Sequence, residues 1–342
     1  MTAVAQVGVA AADRSAADRS VAGGQPPERC SDGARARQES PLATAPPAAR
    51  LLLVEVPGPW GAAGLTGSRL APDVSAGLAA AAQSAGVRVQ LIRRPGRHPG
   101  PLRPADLSTT GRHAWALADP AAGVVRWGSW TAERDLLAID LAESLDRSVQ
   151  AGSGPQRLAL VCTHARHDVC CAVRGRPVAA ALAAAGLDRE VWETSHLGGD
   201  RFAANLLLLP EGEVFGGLDE DTAVAAARAL DGGRVALAHH RGRVGRPPLH
   251  QAALDLAARA LDDDRVGAVR FLGLLGTVPA PSGADGRTVH RVRVAHGGRV
   301  YGLELIEGWS APERLTCAAV EAKPARRFTL AVIETEIEAE AG

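Results

Sequence analysis

The sequence lacks a long apolar segment. The first 29 residues are rich in Ala, Asp, Arg, Ser and Gly and contain no sustained apolar stretch. A signal peptide needs an apolar run of roughly 7–15 residues behind a basic start, and a membrane helix needs about 20 apolar residues. Neither pattern occurs further along the chain, so we expect a soluble, cytoplasmic protein.

The chain also lacks an excess of charge of either sign. It has 38 acidic and 38 basic residues, and Lys323 is the only lysine among the latter. A zero net charge gives no electrostatic reason to expect nucleic acid or an anionic membrane as the main partner. With 342 residues, of which 46% are hydrophobic and 22% charged, the chain is long and apolar enough for two or three packed domains.

Cysteine is scarce too. Five cysteines in a chain of this length are too few for a disulfide framework, and clustered thiols in a reducing compartment more often bind metal or do redox chemistry. Cys162, Cys170 and Cys171 lie together, whereas Cys30 and Cys317 stand alone and are expected to be structural or incidental. The three clustered cysteines are therefore the starting point for function.

Four regions follow from composition and hydrophobic pattern. Residues 1–48 look disordered or weakly ordered, because two Pro-Pro pairs discourage helix. Residues 49–150 form an α/β unit without cysteines, with strands predicted at 51–56, 87–92, 113–119 and 123–128 and helices at 73–86 and 131–149. Its order is strand, helix, three strands, helix.

The next unit, residues 155–233, has a similar order. Strands are predicted at 158–161 and 190–194, followed by an antiparallel hairpin of 202–209 and 213–215. One helix is expected to begin at Pro177 and end near residue 185, and another is capped by Asp221 or Thr222. With the hairpin counted as one element, this is the βαββα order of a minimal thioredoxin-like core, so the fold class is α/β with two related units in tandem.

The region 234–342 has a different character. A basic stretch at 241–246 is interpreted as a solvated loop, and it precedes a helix predicted at 249–262. Four strands are predicted at 267–275, 288–295, 299–306 and 328–335. We interpret this region as an α+β appendage that carries no chemical motif.

The cysteine cluster sits where ligand sites collect. Cys162 ends a strand and Cys171 lies just ahead of a helix, an edge at which open α/β sheets bind ligands. The helix dipole and four arginines at 166, 174, 176 and 201 favour thiolates, which soft metals and iron–sulfur clusters bind. Buried structural cysteines and a redox disulfide are the alternatives, although the spacing does not give a Cys-x-x-Cys motif.

The loop after the second strand supplies a histidine near the same edge. His196 precedes Gly198 and Gly199, which allow the backbone to approach a bulky ligand closely. A lone loop histidine is more often solvated than ligating. Beside a thiolate cluster, however, His196 becomes a candidate ligand.

The chain resembles the sucrase/ferredoxin-like family, the thioredoxin-like ferredoxins. The resemblance covers roughly residues 29–240 and rests on two motifs in the second unit, Cys162-Thr163-His164-x-Arg166-x-Asp168-x-x-Cys171 with Gly175-Arg176-Pro177, and His196-x-Gly198-Gly199-x-Arg201-Phe202-Ala203-Ala204-Asn205. An amino-terminal stretch is also similar, from Arg29-Cys30-Ser31 to Glu55-x-Pro57-Gly58-Pro59-Trp60-Gly61.

The resemblance implies a [2Fe–2S] cluster. Carried over by position, its ligands are Cys162, Cys171 and His196, with Cys171 preferred over Cys170 because the family's cysteine follows the Arg-x-Asp aspartate by three residues. The family motif His-x-Gly-Gly-His has its second histidine at the position of Asp200. The fourth ligand is then Asp200 or water, or a substitute from the residues Cys170, His164 and His167, or the cluster has been lost.

Such a protein would be an electron carrier rather than a catalyst, exchanging electrons with a reductase or an acceptor protein. With Asp200 as a ligand, we expect a lower potential than two histidines give and a more labile cluster. An iron-free thiol–disulfide or redox-sensing protein that uses Cys162, Cys170 and Cys171 is the alternative, and a zinc or scaffold module is a third reading. No paired carboxylates have the context of a glycoside hydrolase site.

Overall fold

A computed structural model of the protein describes residues 29–96, 112–145, 154–280 and 286–335. The expected disorder of residues 1–28 lies outside these ranges. Five α-helices are present in them: α1 Cys30–Ala36, α2 Pro72–Ser84, α3 Val169–Ala184, α4 Glu220–Asp231 and α5 Pro248–Ala260. None of these described helices is long and apolar enough to cross a membrane.

Thirteen strands form two sheets in the described residues. The first nine strands are β1 Arg50–Glu55, β2 Val87–Arg93, β3 His113–Asp119, β4 Val124–Trp130, β5 Leu158–Cys162, β6 Glu190–Thr194, β7 Leu206–Leu209, β8 Glu213–Phe215 and β9 His240–Arg243. They make one mixed sheet in the order β4-β3-β1-β2-β6-β5-β7-β8-β9. The α/β fold class predicted from the sequence is confirmed.

The smaller sheet contains β10 Arg270–Pro279, β11 Thr288–His296, β12 Arg299–Trp309 and β13 Arg326–Thr335, in that order and antiparallel throughout. These are the four strands expected in the carboxyl-terminal region. Helix α5 covers the sheet, with Ala253 and Ala257 packed against Val292 and Leu303. This α+β part therefore has its own small core.

The middle of the large sheet is buried on both faces. All five residues of β5 and all four of β7 are buried, which explains why these strands are continuous apolar runs rather than alternating ones. Helices α3 and α4 pack on one face of this half of the sheet, and α2 packs on the β1–β2 half. Cys162, the last residue of β5, therefore ends a strand whose residues are all fully buried.

Strands β2 and β6 join the two α/β units within the large sheet. They pair antiparallel through Ile92 opposite Thr194 and Arg93 opposite Glu193. Arg93 Nε donates a hydrogen bond of 2.8 Å to Glu193 Oε2, and both side chains are buried. We call this pairing the β2–β6 seam. Because strands from both units belong to this one sheet, the division into domains at 49–150 and 155–233 stays a prediction.

The prediction of a helix over residues 131–149 was wrong. Within the described part of this range, residues 131–145, only Glu133–Ala138 is helical, as a 3-10 helix. The predicted end at 146–149 lies outside the described residues. Arg50 donates hydrogen bonds of 2.9 and 2.7 Å to the carbonyls of Leu141 and Glu143, so these carbonyls do not accept helical amides. The apolar pattern came from leucines buried by an irregular segment.

Helix α3 begins earlier than predicted, at Val169 instead of Pro177. Asp168 caps it by accepting a hydrogen bond of 2.8 Å from the Cys170 backbone N–H, and Pro177 lies inside the helix. The cap and the buried face outweigh the single hydrogen bond that a proline cannot donate. Cys170 and Cys171 consequently lie in the first turn of α3 rather than ahead of it.

Three smaller differences affect the surroundings of the site. Residues 200–202 form a 3-10 helix, so the hairpin strand begins at Leu206 and not at 202. Asp219, rather than Asp221 or Thr222, caps α4 and accepts the Thr222 N–H at 2.9 Å. The stretch before residue 48, expected to be weakly ordered, contains α1, whose first residue Cys30 is buried.

Candidate functional site

Three segments meet at the carboxyl edge of β5 and β6. Cys162 ends β5, Cys171 lies in the first turn of α3, and His196 follows β6. Because β5 and β6 are parallel neighbours with Cys162 opposite Thr194, both strands end at the same edge. The ligand atoms of Cys162, Cys171 and His196 lie within 4.8 Å of one another.

Gly175 allows α3 to lie against the end of β5. A Cβ at this position would stand 2.1 Å from the carbonyl oxygen of Cys162, so a larger residue does not fit. The close approach brings the first turn of α3, and with it the Cys171 thiol, to the Cys162 thiol. The glycine that the sequence shows just before Arg176-Pro177 is therefore a packing requirement of the site.

Two glycines and one buried arginine fix the conformation of the loop of residues 196–200. Gly198 and Gly199 have φ values of +83° and +69°, a region that favours glycine. Arg241 donates hydrogen bonds of 2.9 Å to the Gly198 carbonyl and 2.8 Å to Asn205 Oδ1. A Cβ on Gly199 would lie 2.6 Å from Arg241 Nη2. The guanidinium and the loop thus fit each other only because Gly199 has no side chain.

Arg241 also secures the amino-terminal segment. Its Nη2 donates to the Thr44 carbonyl at 2.6 Å and its Nε to Thr44 Oγ1 at 3.0 Å. Burial lowers the pKa of Arg241 to about 10, so the side chain stays cationic at neutral pH near the cysteine thiolate. The prediction that residues 241–246 form a solvated loop was wrong at this residue, which is 1% exposed.

Asp200 lies at the centre of the group. Its side chain is 2% exposed, and Oδ1 lies 3.2 Å from Cys171 Sγ and 2.9 Å from His196 Nδ1. Its other oxygen is 3.6 Å from His167 Nε2. Burial alone would raise the pKa of Asp200, but the two histidines outweigh it and hold the pKa well below its usual range. Asp200 is therefore an ionised carboxylate inside the site.

The pKa values of the two thiols are shifted in opposite directions. The hydrogen bond from Cys171 lowers the pKa of Cys162 well below its usual value, against the effect of burial. The same contact and burial raise the pKa of Cys171. The two opposite shifts have one cause, the contact between the sulfurs, which favours a single negative charge on the pair. A buried thiolate of this kind is a ligand that soft metals prefer.

Three histidine rings separate the thiols from solvent. The rings of His167 and His196 stack with centroids 3.7 Å apart, and His164 lies 5.6 Å from His167. They border a cleft of about 400 Å³ whose other walls include Leu65 and Arg88. The side chains of His167 and His196 are 34% and 24% exposed, so the site reaches the surface through them.

The histidines differ in what their ring nitrogens contact. His164 uses both, with Nε2 2.7 Å from the Gly61 carbonyl and Nδ1 accepting the His196 backbone N–H at 3.3 Å. His196 Nδ1 is buried without a hydrogen-bond partner, although the Asp200 carboxylate is near. Burial lowers the pKa of His196, but Asp200 and Cys162 outweigh this and raise the pKa to about 9.

The β2–β6 seam fixes the base of the His196 loop. The Ser195 N–H donates to the Leu91 carbonyl at 2.8 Å, and the Leu91 N–H donates to Ser195 Oγ at 3.0 Å. Arg88 Nη2 donates to the His196 carbonyl at 2.7 Å. The unit without cysteines therefore positions a candidate ligand of the other unit.

The structure brings together Cys162, Cys171, His196 and Asp200, the four residues singled out from the sequence. Cys170 faces elsewhere, with its Sγ 3.3 Å from Cys317 Sγ and 3.7 Å from Cys30 Sγ. The arginines named from the sequence also turn away: Arg201 binds Glu39 at 2.8 Å, and Arg166 and Arg176 are exposed. The buried cation near the thiolate is Arg241, for which the sequence carried no signal.

The model of one protein family matches residues 42–242, a range that contains all four candidate residues. That family is described as sucrase/ferredoxin-like. No curated protein and no solved structure matches the chain.

Proposed function

The chain belongs to the sucrase/ferredoxin-like family, and on that premise we propose that it is an electron-transfer protein with one [2Fe–2S] cluster. The observation that carries the proposal is the convergence of two thiols and an imidazole, from Cys162, Cys171 and His196, within 4.8 Å. Such a cluster supplies reversible one-electron exchange. We also propose that β5, α3, β6, the hairpin β7–β8 and α4 form a thioredoxin-like unit, which is βαββα when the hairpin is counted as one element.

The donor set of the site is suited to this cofactor. Iron–sulfur clusters bind thiolates, and in some proteins imidazoles replace part of the thiolate set. The hydrogen bond from Cys171 lowers the pKa of Cys162, which favours the thiolate that iron binds. The ring nitrogen Nδ1 of His196 is buried 2.9 Å from the Asp200 carboxylate, and the imidazole would release its proton on ligating the cluster.

For the fourth ligand we favour Asp200. Its carboxylate is ionised and lies next to Cys171 and His196, whereas both ring nitrogens of His164 are engaged and Cys170 belongs to another group. His167 is the remaining substitute, since its Nε2 faces the same carboxylate at 3.6 Å. A carboxylate adds negative charge where an imidazole would be neutral, so we expect a low reduction potential.

We propose that a redox partner protein, a reductase or an electron acceptor, docks at the cleft bordered by the three histidines. The stacked rings of His167 and His196 connect the buried thiols with this surface. Only the histidine side chains would then separate the docked partner from the cluster, which keeps the electron-transfer distance short.

Anaerobic purification tests the proposal. We expect a coloured protein with two irons and two sulfides per chain and an EPR signal after one-electron reduction. Cys162→Ser should lose iron and sulfide, and Cys317→Ser, outside the site, should retain both. A wild-type protein that stays colourless and free of iron and sulfide after anaerobic reconstitution refutes the cluster.

The Asp200→His variant tests the fourth ligand. Replacing a carboxylate by an ionisable imidazole should raise the reduction potential and make it depend on pH, because reduction then couples to proton uptake. Protein-film voltammetry across pH measures both effects. An unchanged spectrum and potential would show that Asp200 is not a ligand, and the same measurement on His167→Ala would then examine the substitute.

A second candidate function is thiol–disulfide exchange without iron. It is favoured by the proximity of the two sulfurs, within 4.8 Å of each other, since Cys162 as a thiolate could attack a partner's disulfide and Cys171 could resolve the mixed disulfide. The protein would be oxidised to the Cys162–Cys171 disulfide while the partner is reduced to two thiols. Mass spectrometry of the aerobic, iron-free protein distinguishes this function by a loss of two hydrogens confined to this pair.

A further inference from the structure

A second group of cysteines lies outside the candidate site. Cys30 begins α1, Cys170 lies in the first turn of α3, and Cys317 lies between β12 and β13. Asp168, the cap of α3, completes the group, and all four ligand atoms lie within 4.8 Å of one another. Cys30, Asp168 and Cys170 are buried, and Cys317 is partly exposed. Three remote segments therefore bring four metal-ligating side chains to one point.

The separations between the ligand atoms have the size that a single tetrahedral ion requires. With Zn–S bonds of about 2.3 Å, the sulfurs of a tetrahedral site are about 3.8 Å apart. The three sulfur–sulfur distances are 3.7, 3.3 and 3.6 Å. With a Zn–O bond of about 2.1 Å, sulfur and oxygen are about 3.6 Å apart. Cys30 Sγ lies 3.7 Å from Asp168 Oδ2.

From this geometry we infer a Zn²⁺ site whose four ligands are the thiolates of Cys30, Cys170 and Cys317 and the carboxylate of Asp168. Four protein ligands close the coordination shell, which is typical of a structural rather than a catalytic zinc. The inference does not rest on the proposed cluster, since the two sites share no ligand.

Hydrogen bonds from neighbouring groups to the proposed ligands support the assignment. The Ser31 hydroxyl donates to Cys170 Sγ at 3.2 Å, and Arg174 Nε donates to Ser31 Oγ at 2.8 Å. Asp168 Oδ1 accepts the Cys170 N–H at 2.8 Å, and Oδ2 accepts the Cys317 N–H at 2.6 Å. These contacts orient the ligands, and a carboxylate oxygen keeps a second lone pair for the ion.

A disulfide explains the group less well. It would join two sulfurs at about 2.05 Å and leave the third thiol without a role. Here three sulfurs are at similar distances from one another, and a carboxylate oxygen stands at the fourth corner. A tetrahedral ion requires four ligand atoms arranged in this way. A disulfide bond between two of the cysteines does not require the other two.

The zinc would tie together parts of the chain outside the family match. Cys30 precedes that match and Cys317 follows it, while Asp168 and Cys170 lie within it. One ion would then bind the amino-terminal helix and the carboxyl-terminal α+β part to the first turn of α3. Cys171, a proposed cluster ligand, is the next residue of that turn.

Metal analysis of the full-length protein, expressed with zinc and iron and purified anaerobically, tests the inference. We expect one zinc per chain in the wild type and at least a ten-fold lower zinc content in Cys317→Ser. This variant is chosen because Cys317 is partly exposed, so its substitution should disturb the fold less than substitution of the buried Cys30 or Cys170. Cys162→Ser is the matched control and should keep its zinc while losing iron and sulfide. The two proposals can thus fail separately.

X-ray absorption at the zinc edge supplies a second readout. The expected first shell has three sulfurs and one oxygen or nitrogen, and Asp168→Asn should weaken zinc retention against a chelator by ten-fold or more. A wild-type protein with less than one-tenth zinc per chain overturns the inference. A Cys170–Cys317 disulfide in the anaerobic protein, or iron that follows Cys317 rather than Cys162, overturns it as well.

Discussion

Gly175→Ala is the substitution that most directly tests how the site is packed. In a helix interior, alanine is ordinarily more stable than glycine by about 1 kcal/mol. At residue 175, however, the added methyl would lie 2.1 Å from the Cys162 carbonyl oxygen, where even 3.0 Å is hardly ever seen. Helix α3 must therefore move away from β5 by about 1 Å, and overpacking of this kind costs about 1–3 kcal/mol.

We expect a net loss of up to about 2 kcal/mol in the free energy of unfolding, once the gain in helix propensity is subtracted from the overpacking cost. Urea denaturation followed by circular dichroism measures it. The same movement separates Cys171 from Cys162, so iron retention against a chelator should fall in parallel with stability. Stability and chemistry are coupled here because one glycine governs the contact between helix and strand.

Gly77→Ala in α2 is the matched control. Its added methyl would meet Leu137 Cδ2 at 3.1 Å, and Leu137 is an exposed side chain that can rotate away. We expect this variant to be as stable as the wild type or more stable, with unchanged iron content. If Gly175→Ala behaves like Gly77→Ala, the close approach of α3 to Cys162 is not what positions the site.

Two further predictions concern buried charges. Arg241→Lys keeps the charge but loses most of the four hydrogen bonds that the guanidinium donates to Gly198, Asn205 and Thr44. Urea denaturation should therefore show a loss of about 3 kcal/mol in the free energy of unfolding, and iron should dissociate faster. Equal stability would show that the guanidinium geometry is unimportant. His240 is buried, and although burial lowers its pKa, Asp255 and Glu213 raise the pKa to about 9. This stabilisation is complete below about pH 6.5 and is lost as the pH rises through about 9. The free energy of unfolding should fall over that window by on the order of 3 kcal/mol more in wild type than in His240→Gln; parallel curves for the two proteins would contradict the assignment.

Elements that bury one continuous face were predictable from the sequence. The strands β1, β2, β5 and β6 were predicted nearly to the residue, because their apolar runs end at glycine, proline or the site loops. The segment after β4 was not, because Leu136, Leu141 and Leu145 pack into the core around β1 and α2 from an irregular segment and not from one helical face. Periodicity alone cannot distinguish these two causes of burial.

The candidate site was predictable as a set of residues but not as a chemical environment. Cys162, Cys171, His196 and Asp200 follow from two local motifs. Arg241 comes from a distant strand, and nothing in its sequence neighbourhood distinguishes a buried guanidinium from a solvated one. Cys30 and Cys317 were interpreted as isolated, since 287 residues separate them in sequence and only the fold brings their sulfurs to 3.6 Å.

The β2–β6 seam has a practical consequence for anyone who wants a smaller version of this protein. A fragment that begins after residue 153 would keep the two cysteines and the histidine but lose Leu91 and Arg88, which hold the base of the His196 loop. It would also expose β6 as a bare sheet edge with Glu193 deprived of its buried arginine. The minimal unit that can be expressed and studied is therefore set by this join and not by the motifs.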